Sequence, residues 1–157
     1  MSGKQKTNPI CRLLVIGFGN TLRRDDGVGP EVAGQVEALQ LPGVRTLVCH
    51  QLTPELAELI SRSARVVFVD ADAKAAGEAA LRPIEAAEAG QVLAHATDPR
   101  SLLALSQHIF GAVPQAWVLA VPVDDLGFGD GLSPRAAAGL AVALRQIRAL
   151  AGQVGES

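Results

Sequence analysis

The chain has 157 residues, 48% of them hydrophobic, which fits one α/β domain with a sizeable core over residues 1–157, the ends 1–9 and 152–157 forming flexible tails. A formal charge of -2 with no basic run speaks against nucleic acid or an anionic membrane as partner, and 3% aromatics with no Tyr speak against base stacking. Cys11 and Cys49 lie far apart in no metal-type spacing, and neither a leader segment nor a membrane-length apolar run is visible, so a cytoplasmic monomer is expected.

Taken in order, the first strand is expected over about residues 12–16. Gly17 and Gly19 follow, where the missing Cβ lets the backbone turn sharply, and Asn20 tolerates the same dihedrals. Asp25 and Asp26 make an acidic tip. A helix is expected from near Asp26, with Val28, Val32, Val36 and Leu39 on one stripe at the ~3.6-residue period, ended by Leu41-Pro-Gly43. Val44 to Cys49 reads as the second strand. Thr53-Pro54 then resembles an N-cap with proline at the first helical position, opening a short helix to about Ser61.

Val66 to Val69 is continuously apolar, as a central strand covered on both faces should be, and it ends at Asp70-Ala-Asp72. Glu78 to Ile84 reads as a short fourth strand that Pro83 confines to an edge or an end. Residues 85–97 form a loop holding His95. Thr97-Asp98-Pro99 repeats the cap-plus-proline signal and opens a helix with Leu102, Leu105 and Ile109 on one face. Gln115 to Val121 is the last strand, followed by a loop from Pro122 to Leu132 rich in Gly and Asp. Ser133-Pro134 caps the final helix, which is expected to turn Leu140, Leu144, Ile147 and Ala151 inward and Arg145 and Arg148 outward.

Alternating strands and helices predict a three-layer α/β/α sandwich around a mostly parallel, roughly five-stranded sheet, of order 2-1-3-4-5 or a variant. Strands one and three are then neighbours, and Asp26 and Asp70 hang over one crevice with His95 within reach. Gly17-Phe-Gly19 imitates the start of a dinucleotide fingerprint, but Leu22 stands where its third glycine belongs, and Asp25 and Asp26 would face the pyrophosphate. A P-loop and a G-x-S-x-G elbow are absent, and neither cysteine sits in an electropositive turn. Two carboxylates and an imidazole remain, an O,O,N donor set that suits zinc or nickel. The same residues also suit simpler roles: Asp25 and Asp26 as helix caps, Asp70 as a solvated strand end, His95 as a loop histidine.

The run Gly17-Phe-Gly-Asn-Thr-Leu-Arg-Arg-Asp-Asp-Gly-Val-Gly29 closely resembles the signature of the hydrogenase maturation endopeptidases, which trim the C-terminal extension of nickel-iron hydrogenase large subunits. The resemblance continues through Phe68-Val-Asp70-Ala, Ala94-His95 ahead of a leucine-rich helix, and Asp130-Gly-Leu-Ser-Pro134. It implies that Asp26, Asp70 and His95 contact metal and carry catalysis, in a cleft lined by Gly19, Asn20 and Asp25. It implies further that the nickel is carried by the substrate protein, the large-subunit precursor, with no tightly bound cofactor in the enzyme. The family often has Glu where Asp26 stands, and many members have Asp-Gly-Gly-Thr where this chain has His50-Gln-Leu-Thr53. His50 is then a loop histidine or a cleft residue, and His108 a structural or solvated one. Asp25, Asp26 and Asp70 are each candidates for a general base. The loop 123–132 is a plain connection or a contact to the large subunit. The alternatives are a metallopeptidase with its own tightly bound metal, a nickel-binding chaperone that cuts nothing, and a small-molecule α/β enzyme.

Overall fold

The computed structural model describes residues 10–88 and 98–155. The chain builds one sheet from β1 (Leu13–Phe18), β2 (Val44–Cys49), β3 (Arg65–Asp72), β4 (Ala80–Ile84) and β5 (Gln115–Pro122). Four helices join them: α1 (Val28–Leu39), α2 (Leu56–Ser61), α3 (Pro99–Phe110) and α4 (Pro134–Gly155). A 3-10 turn, Arg24–Gly27, precedes α1. The sheet order is β2-β1-β3-β5-β4. β1, β2, β3 and β5 are parallel, whereas β4 runs antiparallel to β5 at the edge. The order is therefore a variant of the expected one: the fourth strand lies outside the fifth. An edge is where Pro83, which has no N–H to donate, is tolerated.

Two apolar layers flank the sheet because side chains alternate along each strand. Leu13 and Val15 of β1 face Val28, Val32 and Val36 of α1 and Ala143 and Ile147 of α4. Leu14 and Ile16 face the other way, with Ile60 of α2 and Leu102 and Leu103 of α3. These branched side chains are wholly or almost wholly removed from water, each contributing about 1.5–3 kcal/mol of burial free energy. No helix among the described residues is long and apolar enough to cross a membrane.

Several local expectations change. In α3 the buried residues are Ser101, Leu102, Leu103, Ala104 and Ser106, while Ile109 is 58% exposed. The buried Ser106 hydroxyl donates to the Ala112 carbonyl at 2.6 Å, so this polar group packs inward without an orphaned donor. In α4 the buried positions are Ala136, Gly139, Ala143, Ile147, Leu150 and Ala151, while Leu140 and Leu144 are half-buried. This helix runs on to Gly155, into the stretch expected as a loose tail. The predicted caps fare better at α3, where the Asp98 carboxylate accepts from the Ser101 N–H at 2.9 Å and Pro99 opens the helix. Thr53-Pro54 instead forms a turn, with the Thr53 and Pro54 carbonyls accepting from the N–H groups of Leu56 and Ala57, and α2 begins only at Leu56.

The approach of α1 to the sheet places the site. A Cβ at Gly17 would overlap the Gly29 carbonyl and lie 2.9 Å from the Ala33 Cβ. One at Gly29 would lie 2.5 Å from the Val69 carbonyl oxygen and 2.7 Å from that of Phe18. The two glycines let the first turn of α1 press onto the ends of β1 and β3. Gly17 is thus a close-approach residue within β1 and not part of the turn. The turn itself is made at Gly19, whose φ of 150° favours glycine.

Candidate functional site

β2 lies on one side of β1 and β3 on the other, so the chain reverses direction across the sheet between β1 and β3. In open α/β sheets ligands bind at such a switch point, beyond the carboxyl ends of the strands. Gly17 pairs with Val69, which sets Phe18 and Asp70 side by side at that end. Gly19, Asn20 and the 3-10 turn bearing Asp26 follow directly from β1.

Asp26 is half-buried, and its Oδ2 accepts the Asn20 N–H at 2.8 Å. The Asn20 side chain in turn accepts the Leu22 N–H at 2.9 Å. This short lattice fixes the loop on which Asp26 rides. Burial pushes the Asp70 carboxyl up to about 6, the negative charge of Asp26 adds to the rise, and a hydrogen bond from the Ala71 backbone opposes it. The effect of Asp26 on Asp70 shows that the two carboxylates lie close enough to feel each other's charge. A pair so placed gains from any cation brought between them.

His95 lies outside the described residues. Among the described residues no three His, Cys, Asp or Glu side chains gather into a ligand set, so Asp26 and Asp70 stand as a pair. His50, just past β2, and His108, on α3, are both exposed.

Asp25 departs from its expected place. A cleft wall or a general base needs an accessible carboxylate, yet this side chain is 0% exposed. Its carboxylate accepts the N–H groups of Asp124 and Asp125 at 2.9 Å each, the Ser133 N–H at 2.7 Å and the Ser133 hydroxyl at 2.6 Å. Burial opposes its charge, but the bonds from Ser133 and the two backbone amides outweigh this and hold its pKa below the ordinary value. A carboxylate so engaged offers no oxygen to water or metal.

The residues that sequence reading misses are those that meet Asp25. The loop after β5 lies along the 20–26 loop: the Arg24 N–H donates to the Gly129 carbonyl, the Gly129 N–H to the Leu22 carbonyl, and the Arg23 guanidinium to the Leu126 carbonyl at 3.0 Å. Arg24 also pairs with Asp125 at 3.6 Å. Arg23 covers the Phe128 ring at 5.7 Å, and that ring is 80% exposed beside an exposed Leu22. The glycine spacing of the loop is that of a plain connection; its aspartates and Ser133 are the hints of an anchor.

No protein-family model matches the chain, and no curated protein does. Solved structures match over nearly its full length. The hydrogenase maturating endopeptidase HybD from E. coli is 23% identical, with a TM-score of 0.68 over 92% of this chain and 94% of the other. The [NiFe] hydrogenase maturation protease HycI from Thermococcus kodakarensis is 20% identical, with a TM-score of 0.65 over 94% of each chain. A hydrogenase 2 maturation peptidase from a Thaumarchaeota archaeon is 20% identical, with a TM-score of 0.64 over 88% of this chain and 97% of the other. The chain therefore has the fold of the hydrogenase maturation endopeptidases.

Proposed function

We propose that this chain is an endopeptidase that removes the C-terminal extension of a nickel-iron hydrogenase large-subunit precursor after nickel insertion. The observation that carries the reading is the Asp26–Asp70 pair at the β1–β3 switch point, coupled in charge and set in a fold shared with proteins described as hydrogenase maturation endopeptidases and proteases. The reading includes a cytoplasmic monomer with no nucleic-acid or membrane partner and no tightly bound metal of its own.

The donor chemistry supports the metal logic. Two carboxylates are too few to hold a divalent ion firmly, yet they can complete the sphere of an ion partly held by another protein. Asp26, Asp70 and His95 are the residues that would meet the client's nickel. Bound there, that ion would polarise the scissile carbonyl as a Lewis acid. Of the two described carboxylates, Asp70 is the better general base. The rise to about 6 holds for the metal-free chain; an Asp70 oxygen not engaged by the ion would take a proton from the attacking water and return it to the departing amine as the C–N bond breaks. Asp26, with one oxygen engaged by Asn20, supplies fixed negative charge.

The test is to incubate the protein with nickel-loaded and with nickel-free precursor and to weigh the products. Only the loaded precursor is expected to lose the mass of its extension. No loss in either sample leaves a chaperone that cuts nothing, and equal loss in both ends the gating idea. Metal analysis of protein purified without added metal separates off the metallopeptidase alternative, which requires stoichiometric metal. His95→Ala is expected to abolish processing with an unchanged melting curve; full processing by that variant would remove His95 from the mechanism.

A further inference from the structure

We propose that Asp25 and Ser133 form a clasp that positions Asp26: the buried carboxylate ties the loop after β5 to the 3-10 turn, and that tie holds the neighbouring Asp26 in place over the crevice. The proposal rests on Asp26 being a site residue, as read above, and concerns what holds it there.

Four donors from a segment about a hundred residues away converge on one carboxylate, and the Asp25 N–H donates back to the Asp125 carbonyl at 2.9 Å. A buried charge is a costly way to fasten a loop, since apolar packing would do it without desolvating an ion. What a charge with several directed bonds adds is a single geometry. The turn it fixes needs that help. It carries Arg24 at φ 41°, a left-handed conformation disfavoured for a side chain with Cβ. It also lacks a side-chain N-cap: Arg23 stands at that position and makes no capping bond. Asp26 follows directly; its N–H donates to the Arg23 carbonyl at 2.9 Å within the turn, and its carboxylate accepts the Asn20 N–H from the other side. Released from the clasp, the turn has the freedom to relax, and Asp26 moves with it.

Ser133 is where the clasp can be opened gently. Its hydroxyl donates to Asp25 and accepts the Ala136 N–H at 3.2 Å, so it also caps α4. Ser133→Ala removes both bonds and leaves three backbone donors on Asp25, while Ser133→Thr keeps the hydroxyl. Two readouts divide positioning from mere loss of a cap. Hydrogen exchange at the Asn20 N–H reports the Asn20–Asp26 bond without reference to catalysis. Steady-state processing of nickel-loaded precursor reports kcat and KM.

In Ser133→Ala, Asn20 exchange is expected to rise about tenfold, and kcat to fall about tenfold with KM within about twofold, as for loss of one hydrogen bond to a charged group. Val67, in the middle of β3, should exchange as in the wild type. Ser133→Thr should restore both values. Faster exchange confined to the first turn of α4, with Asn20 and kcat unchanged, would overturn the proposal, as would a Thr variant that restores neither. If the wild-type protein cuts no precursor, the reading of function fails while the Asn20 measurement still decides the clasp.

Discussion

Asp70→Asn is expected to lower processing by about 10²–10⁴-fold, the range for loss of a general base. The same change should make the metal-free protein more stable at pH 8. The two effects share one cause. Burial and the charge of Asp26 push the folded-state pKa of Asp70 from 3.8 up to about 6. The folded chain therefore binds this proton more tightly than the unfolded chain does. Below pH 3.8 Asp70 is protonated in both states and costs nothing. As the pH rises to about 6 the folded state must give up a proton it favours, and stability is lost. Above about 6 the whole penalty stands. A tenfold difference in proton affinity between the two states is worth about 1.4 kcal/mol, and since Asp70 is only partly buried the penalty is on the order of 2 kcal/mol. Asparagine keeps the shape without the charge. For a chain of this size the gain corresponds to roughly 4–8 °C in melting temperature at pH 8, shrinking toward zero near pH 4. Melting curves of both proteins at the two pH values give the answer. Equal curves at pH 8 would mean that the Asp70 charge carries no such penalty, and the argument for a near-neutral base would go with it. The function keeps this cost because a relaxed carboxylate would be a weaker base and would gain less from a client's cation.

How much of this is legible in the sequence depends on how local each cause is. The bounds of β2 and the apolar run of β3 up to Val69 are readable, because strand pattern and burial are written in neighbouring residues, although β3 runs on through Asp70 to Asp72. That the loop bearing Asp26 starts beside Asp70 follows from the rule that a chain reversing across a parallel sheet makes neighbours of β1 and β3. The placing of β4 is not readable. A five-residue strand containing Pro83 carries too little pattern to declare which neighbour it pairs with or in which sense. The inward face of α3 misleads for a related reason. Ile109 fits an apolar stripe, but the helix packs a satisfied Ser106 instead and leaves Ile109 to solvent. Asp25 is the hardest case. Adjacent aspartates before a helix look interchangeable in sequence. Their fates differ because one points at donors more than a hundred positions away in Ser133 and the other at the crevice. A buried carboxylate is recognisable only once its partners are.

Gly29→Ala is expected to damage both stability and processing, because the geometry of the crevice depends on how closely α1 meets the sheet. The new Cβ would lie 2.5 Å from the Val69 carbonyl oxygen, 2.7 Å from that of Phe18 and 3.0 Å from the Phe18 N. All three are backbone atoms of β1 and β3, so no rotamer change relieves the clash. The helix must lift or the strands must part. Overpacking of a tight site costs about 1–3 kcal/mol and occasionally more, and a backbone-only contact belongs at the upper end. In a denaturant titration this would show as a lowered midpoint with an unchanged slope. Lifting α1 also carries away the turn before it, and so moves Asp26 from Asp70. A displacement of about 1 Å in a positioned group is enough for a roughly 10²-fold loss of rate. Gly34→Ala is the control: it lies on the same helix, where a Cβ would meet nothing within 4 Å, and replacing Gly by Ala there should stabilise by about 1 kcal/mol. A Gly29 variant as stable and as active as the wild type would show that the helix does not set the distance between the two carboxylates. Loss of stability with full activity in the remaining folded protein would show that the clasp through Asp25 suffices to hold Asp26 even when α1 is raised.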